Sequence, residues 1–147
     1  MFCRVLTVLE GINMRNKAIK GDIIAIPIDD KFIYGKVIFV SKRSKDIMQI
    51  ECRGPYDSDK CNWKDGNFVT TFFTAASKFS KRGWKIISEG NFEGCEISKT
   101  LRIIADGVWE EDNFLRDASP EDHKNIQAMY VSGFIYIEKK LQGMIQS

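Results

Sequence analysis

Histidine and cysteine are the side chains that most often supply nucleophilic or metal chemistry, and this chain has few of them. His123 is the only histidine, and the cysteines are Cys3, Cys52, Cys61 and Cys95. A catalytic triad needs a histidine placed between a nucleophile and an acid. His123 instead falls among charged neighbours in the first turn of a predicted helix, and none of the cysteines lies in a recognisable nucleophile motif. We therefore expect a solvated surface histidine and a protein that is not an enzyme.

The spacing of possible metal ligands does not match known sites either. Structural zinc is held by closely paired thiolates, whereas eight residues separate Cys52 from Cys61 and no second pair is present. Asp57, Asp59 and Asp65 resemble the spaced acids of a calcium loop, but the loop glycine and terminal glutamate are missing. No glycine-rich phosphate loop ends in lysine and a hydroxyl residue. We expect no metal and no cofactor.

Two clusters place cations beside aromatic rings. The first is a turn containing Lys42, Arg43 and Lys45, and the second surrounds Phe79 and Trp84 with Lys78, Lys81, Arg82 and Lys85. Cations interleaved with aromatics can bind phosphates and stack bases, so Arg43, Arg82 and Trp84 are candidate residues for RNA binding. The simpler interpretation is that Trp84 packs inward while its lysines stay in water. The net charge of +2 is too small to favour nucleic acid.

The strongest departure from an even charge distribution is an acidic segment, residues 106–122. It holds seven acids against one base, a net charge of −6, which leaves +8 for the rest of a chain whose total is +2. Aromatic anchors surrounded by charge are typical of protein interfaces, where the rings supply affinity and the charges steer a basic partner. We predict a protein-binding site made of Asp106, Trp109, Glu110, Glu111, Asp112, Phe114 and Asp117.

The elements that position this segment are mostly strands. Apolar runs over residues 23–28, 32–40 and 47–52, separated by polar turns, predict a three-stranded meander, and both faces of the first run are apolar. Pro27 places part of that run at an edge or a bulge. Residues 53–66 are predicted to form a loop, and strands are expected at the start of 67–79 and within 83–89.

The clearest helix signal lies at the end of the acidic segment. Ser119 is a suitable N-cap, Pro120 occupies the first helical position, and acids follow in the first turn. The β-rich residues 130–140 predict a last strand. We expect an α+β fold with a strongly bent antiparallel sheet, one or two short helices, and closure into a small barrel as an alternative.

Length and hydropathy limit the remaining possibilities. The 147 residues suit a single domain over 1–147 that buries a sizeable core. No apolar run approaches the roughly 20 residues needed to span a bilayer, and the first residues lack a basic leader with a cleavage site. We therefore expect a cytoplasmic protein with no membrane partner, translated from Met1 or Met14. The sequence does not fix its oligomeric state.

The first hairpin, residues 20–40, resembles a known family. The pattern is a basic residue, Gly-Asp, an apolar run with proline, a polar turn, and Tyr-Gly before a basic residue and a second apolar run. It is carried here by Lys20, Gly21, Asp22, Ile23, Ile26, Pro27, Tyr34, Gly35, Lys36 and Val37. This resembles immunity protein family 26 of the bacterial polymorphic toxin systems. The resemblance implies an antitoxin that binds and neutralises a toxin domain, secreted or delivered by contact-dependent inhibition, and it assigns no toxin-contact residues.

The same hairpin also resembles the opening of the small-barrel ribonuclease toxins of plasmid-addiction systems. Those toxins carry arginine-proline before the second apolar run, whereas Lys36 is followed directly by Val37 here. This likeness implies the alternative function, a small-barrel RNA-binding protein or ribonuclease toxin. In either case the hairpin is scaffold, and activity belongs to the loops and the acidic segment.

Cysteine usage gives a first testable prediction. Because the four cysteines are scattered through a chain that is not a small disulfide scaffold, we expect all four to be free thiols. A thiol titration of unfolded, unreduced protein should count four. A lower count would point to a disulfide, for which Cys52 and Cys61 are the alternative pair.

Overall fold

The computed structural model describes residues 16–60, 63 and 66–146. In this part of the chain, eight strands form two antiparallel sheets, accompanied by two α-helices and two short 3-10 helices. The predicted α+β class is therefore confirmed. The two candidate start sites, Met1 and Met14, lie outside the described residues, as do Cys3 and Cys61.

The larger sheet has five strands in the order β4-β3-β2-β1-β5. The first four form a meander in chain order: β1 (Ile23–Ile28), β2 (Lys31–Val40), β3 (Ile47–Tyr56) and β4 (Phe68–Ala75). The fifth strand, β5 (Lys85–Ser88), returns to the free side of β1. Over the described residues β4 and β5 remain separate edges, so the sheet stays open and does not close into a barrel.

The meander predicted from the first three apolar runs is confirmed, with one correction at its end. Strand β3 continues to Tyr56 and pairs with β4 as far as Gly54, so the first residues of the predicted loop 53–66 belong to a strand. Pro27 faces Phe32 on β2 and lies beyond Ala25, the last residue of β1 that pairs with β5. The proline thus occupies a locally unpaired edge, as its missing N–H requires.

Both faces of the larger sheet are covered, as the double apolar pattern of β1 predicts. Ile24 and Ile26 belong to the main core, which also contains Trp84. Ile23 and Ala25 point to the opposite face and join a smaller cluster with Tyr34 and Ile87. The alternation of side chains along one strand therefore feeds two separate apolar layers.

The C-terminal strand predicted for residues 130–140 is wrong, because Phe134–Gln146 forms a helix, α2. Its buried residues, Ile137 and Leu141, are four positions apart, and Phe134 packs on the same core. That spacing matches the helical period of 3.6, which here outweighs the β propensity of the isoleucines and tyrosines. The Phe134 ring meets Trp84 edge-on at a centroid distance of 5.0 Å.

The helix predicted at the end of the acidic segment is confirmed as α1 (Pro120–Asn125). Ser119 is its N-cap and forms a full capping box with Asp122: each side chain accepts a hydrogen bond from the other residue's backbone N–H. Arg116 also donates to the Asp122 carboxylate, at 2.9 Å. The cap therefore ties the helix to the strand before it.

The smaller sheet has three strands in the order β6-β7-β8: β6 (Arg102–Ile104), β7 (Gly107–Glu110) and β8 (Asn113–Asp117). The outer side of β6 is covered, because Ile103 exchanges backbone hydrogen bonds with residues 127 and 129. All five residues of β8 are exposed. Among the described residues, β8, which carries Phe114, is the edge strand of the smaller sheet with no strand paired to its outer side.

The two cysteines within the described residues have free, buried thiols, at Cys52 and Cys95. Burial raises the pKa of both thiols. Neither is poised as a nucleophile, because a reactive thiol needs a lowered pKa and solvent access.

Helix α2 offers a matched test of its assignment. Ile137 is fully buried and Ile135 is 54% exposed, although the two side chains would share one face if the segment were a strand. Replacing Ile137 by alanine should lower the free energy of unfolding by about 2–5 kcal/mol. The same change at Ile135 should alter it by less than about 0.5 kcal/mol. Urea unfolding of both variants gives the comparison, and equal effects would contradict the helix.

Candidate functional site

The two aromatic anchors predicted from sequence come together in the smaller sheet. Trp109 on β7 faces Phe114 on β8 across the ladder. Their ring centroids are 5.5 Å apart at 69°, an edge-to-face arrangement. Gly107 makes room for this pair, since a Cβ there would stand 3.0 Å from both the Phe114 ring and the Trp109 indole nitrogen. Phe114 is 51% exposed, so the pair is assembled but still faces solvent.

A shallow pocket of about 520 Å³ opens beside these rings. We call it the Trp109 pocket; its lining includes Arg43, Asp106, Trp109, Phe114 and Asp117. Asp106 projects into solvent with 91% of its side chain exposed, and the single histidine lies 3.6 Å from its carboxylate. The exposed position of that histidine on α1 agrees with the prediction from sequence.

The turn between β6 and β7 forms one wall of the pocket and holds two residues with positive φ. Ala105 has φ 45° and Asp106 has φ 65°, the pattern of a two-residue hairpin turn that matches the twist of its strands. Aspartate tolerates this conformation, whereas alanine does so at an energetic cost. The turn is therefore held by the pairing of β6 and β7 on either side of it, and it fixes where the Asp106 carboxylate stands.

Asp112, another predicted site residue, faces inward and holds a neighbouring turn. Its carboxylate accepts hydrogen bonds from Ser41 Oγ at 2.6 Å and from the Lys42 backbone N–H at 2.8 Å. Burial alone would raise the pKa of Asp112, but these hydrogen bonds, aided by the nearby Arg102, bring it below its ordinary value. The role of Asp112 is thus to join the β7–β8 turn to the β2–β3 turn.

Glu111 and Glu110 also differ from the prediction of a single acidic face. Glu111 has φ 52° and donates its backbone N–H to Thr100 Oγ1, while its carbonyl accepts from the buried Arg102 guanidinium. Its carboxylate points toward Lys20, 3.9 Å away. Glu110 is half-buried, and strand alternation directs its side chain away from that of Trp109. The structure therefore brings Asp106, Trp109, Phe114 and Asp117 together in the pocket.

The basic residues proposed for RNA binding do not form one surface. Trp84 is fully buried and cannot stack on a base; its indole N–H donates to Glu138 at 2.8 Å. Arg82 pairs with the same carboxylate. Burial alone would raise the pKa of Glu138, but these two donors bring it below its ordinary value. Trp84 is a core residue, as the simpler interpretation of the sequence holds.

Arg43, the third residue of that hypothesis, belongs to the Trp109 pocket. The centre of its guanidinium lies 4.2 Å from the Trp109 ring centroid, a cation–π distance. The sequence patterns place Arg43 in the RNA-binding hypothesis and Trp109 in the protein-binding one. Their contact is tertiary, between residues far apart in the chain, and no local pattern indicates it.

One buried cation was also missed from the sequence. Lys36 is almost wholly buried, and its ammonium donates to Asn91 Oδ1 at 2.8 Å and to the Glu93 carbonyl at 2.6 Å. The Trp63 ring lies 4.7 Å from it. Burial lowers the pKa of Lys36. These contacts tie β2 to a loop more than 50 residues away, which gives Lys36 a structural role.

Comparisons with known proteins add no relative. No protein-family model matches the chain, and neither the curated proteins nor the solved structures give a match. The resemblance of residues 20–40 to an immunity-protein family therefore stays a prediction. Among the described residues, no group of three or more histidine, cysteine or acidic side chains could hold a metal ion. No helix in that part of the chain is long and apolar enough to cross a membrane.

The position of Asp112 predicts a pH-dependent contribution to stability. A carboxyl whose pKa is lowered on folding stabilises the protein above its ordinary pKa near 4, and this stabilisation is lost as the pH falls through the folded value. Asp112→Asn should lower the free energy of unfolding by about 1–3 kcal/mol at neutral pH. Below about pH 4, the free energy of unfolding should also fall less steeply in Asp112→Asn than in the wild type.

Asp117→Asn is the matched control, because Asp117 is an exposed carboxylate on the same sheet. Its effect on unfolding should stay within about 0.5 kcal/mol. Urea denaturation of the three proteins between neutral pH and about pH 3 provides the test. Equal pH profiles for wild type and Asp112→Asn would show that the carboxylate does not hold the turn.

Proposed function

We propose that this chain is a non-enzymatic immunity protein that binds a cognate toxin domain in the cytoplasm and neutralises it by occluding its active site. The Trp109 pocket is the centre of the binding surface. The observation that carries the proposal is an assembled aromatic pair, with Trp109 half-buried and Phe114 exposed, and the carboxylates of Asp106 and Asp117 beside it. The resemblance of residues 20–40 to an immunity-protein family supplies the class of partner.

Preassembly of the aromatic pair favours binding, because little conformational freedom remains to be lost. The β7–β8 ladder, the absence of a side chain at Gly107 and the edge-to-face contact fix both rings before a partner arrives. An exposed aromatic in a defined position is the type of residue that dominates interface energetics. A stable complex would bury about 1,600 Å² in total, so the surface must extend beyond the pocket.

The charges beside the rings favour a basic partner surface. Asp106 is almost fully exposed and Asp117 is exposed, so their field reaches into solvent. The total charge of the chain is +2, and steering therefore comes from this local patch. Attraction of this kind raises the association rate and weakens as salt screens it.

The experiment that tests the proposed function is affinity capture from the source cells with the tagged chain as bait. A co-purified protein with a toxin-like domain, whose activity falls to zero at an equimolar ratio of bait, would support the proposal. Recovery of RNA without a protein partner would overturn it in favour of nucleic-acid binding. Recovery of a protein whose activity the chain leaves unchanged would also overturn it and indicate an adaptor.

The site assignment gives a prediction with a closely matched control. Phe114 and Tyr136 are both aromatic and both 51% exposed, but only Phe114 lies in the pocket. Phe114→Ala should weaken binding of the captured partner about tenfold or more, as expected for an interface anchor. Tyr136→Ala should leave the affinity unchanged. Titration calorimetry of both variants checks this, and loss of binding at Tyr136 alone would move the site to α2.

A further inference from the structure

The Trp109 pocket already holds one cation, and that cation comes from the chain itself. The Arg43 guanidinium lies 4.2 Å from the centre of the Trp109 ring. A planar guanidinium stacks on an aromatic face and can pair with a carboxylate at the same time, which an ammonium does less well. The contact therefore shows which chemical group this face accepts.

Arg43 reaches the ring because hydrogen bonds to Asp112 hold its turn in place. The backbone N–H groups of Lys42 and Arg43 donate to Asp112, and Ser41 Oγ both donates to that carboxylate and accepts from the Ser44 N–H. The backbone of the turn is thus fixed, whereas the Arg43 side chain is exposed. An exposed side chain on a fixed turn can leave the ring without disturbing the fold.

The charged residues that line the pocket include one more carboxylate than cation. Asp106 and Asp117 both line it, and Arg43 is the one basic residue among the lining groups. The pocket, at about 520 Å³, is open to solvent and large enough for a side chain of arginine size. Aromatic faces with a surplus of negative charge select a cation over a neutral group.

We propose that the Trp109 pocket is an arginine-binding site, in which an arginine side chain of the protein partner replaces Arg43 over the Trp109 ring. Arg43 occupies the ring in the free protein and moves aside on binding. This inference rests on the proposed function for the identity of the partner, a toxin domain. The recognition chemistry is a guanidinium held between the indole face of Trp109 and the carboxylates of Asp106 and Asp117.

The test uses the ¹⁵N-labelled full chain and small probes in place of the partner. N-acetyl-arginine amide is the guanidinium probe, and N-acetyl-citrulline amide is its neutral isostere. The tryptophan indole N–H signals are followed during each titration. The Trp109 signal is assigned by its loss in Trp109→Phe, and the signal of the buried Trp84 is an internal reference that should not move.

The arginine probe should shift the Trp109 signal saturably at low salt, and the citrulline probe should not. Arg43→Ala should bind the arginine probe about three- to tenfold more tightly than wild type, because an exposed cation–π contact that competes for the ring has been removed. Lys42→Ala is the matched control, since it removes one positive charge from the same turn but not from the ring. Its affinity for the probe should stay within about twofold of wild type.

Three results would overturn the inference: no shift at Trp109 with either probe, equal shifts with arginine and citrulline, or weaker arginine binding in Arg43→Ala. The last would show that Arg43 builds the pocket and does not compete for it. These outcomes are independent of any toxin. If the chain neutralises a captured toxin but does not bind the arginine probe, the proposed function stands and this inference is wrong. If the chain binds the arginine probe but no toxin is captured, the arginine site stands and the proposed function is wrong.

Discussion

The carboxylate of Asp112 joins the two sheets at the point on which the candidate site depends. It accepts hydrogen bonds from Ser41 and Lys42 in the turn that follows β2, while its own backbone connects β7 to β8. Hydrogen bonds to an ionised acceptor are stronger than neutral ones, particularly where burial limits competing water. Without this link, the turn that carries Arg43 would lose its hydrogen bonds to the hairpin that carries Trp109. An acid that sequence analysis assigned to partner binding is thus used to build the surface.

Several local features of the backbone, each unfavourable by itself, together form the pocket. The β6–β7 turn holds Ala105 in a positive-φ conformation that alanine adopts at a cost. Gly107 gives up a side chain so that two rings can meet, and β8 is left as an exposed edge. A backbone conformation that is costly for its residue persists only where the surrounding structure fixes it, and such positions are frequent at functional surfaces. The main core, by contrast, is formed by ordinary apolar packing between the larger sheet and α2.

Sequence reasoning succeeded where the signal is local. Alternating apolar runs separated by turn residues gave the meander, and Ser119 with Pro120 gave the start of α1, because both patterns act within a few residues. It failed for α2, where β-branched and aromatic residues suggested a strand although Ile137 and Leu141 recur at a helical spacing. Propensity is a weak signal there, since packing on the core decides the outcome.

In the candidate site too, sequence patterns predict contacts between neighbouring residues but not contacts between distant segments. The clustering of Trp109, Phe114 and acids along the chain was enough to predict that some of them lie together, because neighbouring strands of a hairpin bring them into contact. No pattern could show that Asp112 turns inward, that Trp84 and Arg82 share the Glu138 carboxylate, or that Arg43 stacks on Trp109. Each depends on contacts between segments dozens of residues apart. The pattern of hydrophobic and charged residues identifies such positions as notable, but it does not show which residues they contact.

The central claim, that this chain binds a protein through the Trp109 pocket, is tested most directly by hydrogen–deuterium exchange on the captured complex. Within the described part of the chain no strand pairs with the outer side of β8, so its outward amides should exchange quickly unless a partner covers them. The account predicts new protection over residues 113–117 and in the Ser41–Ser44 turn, with exchange in α2 unchanged. Protection confined to the exposed apolar residues around Tyr130 and Ile135, with none in β8, would contradict it.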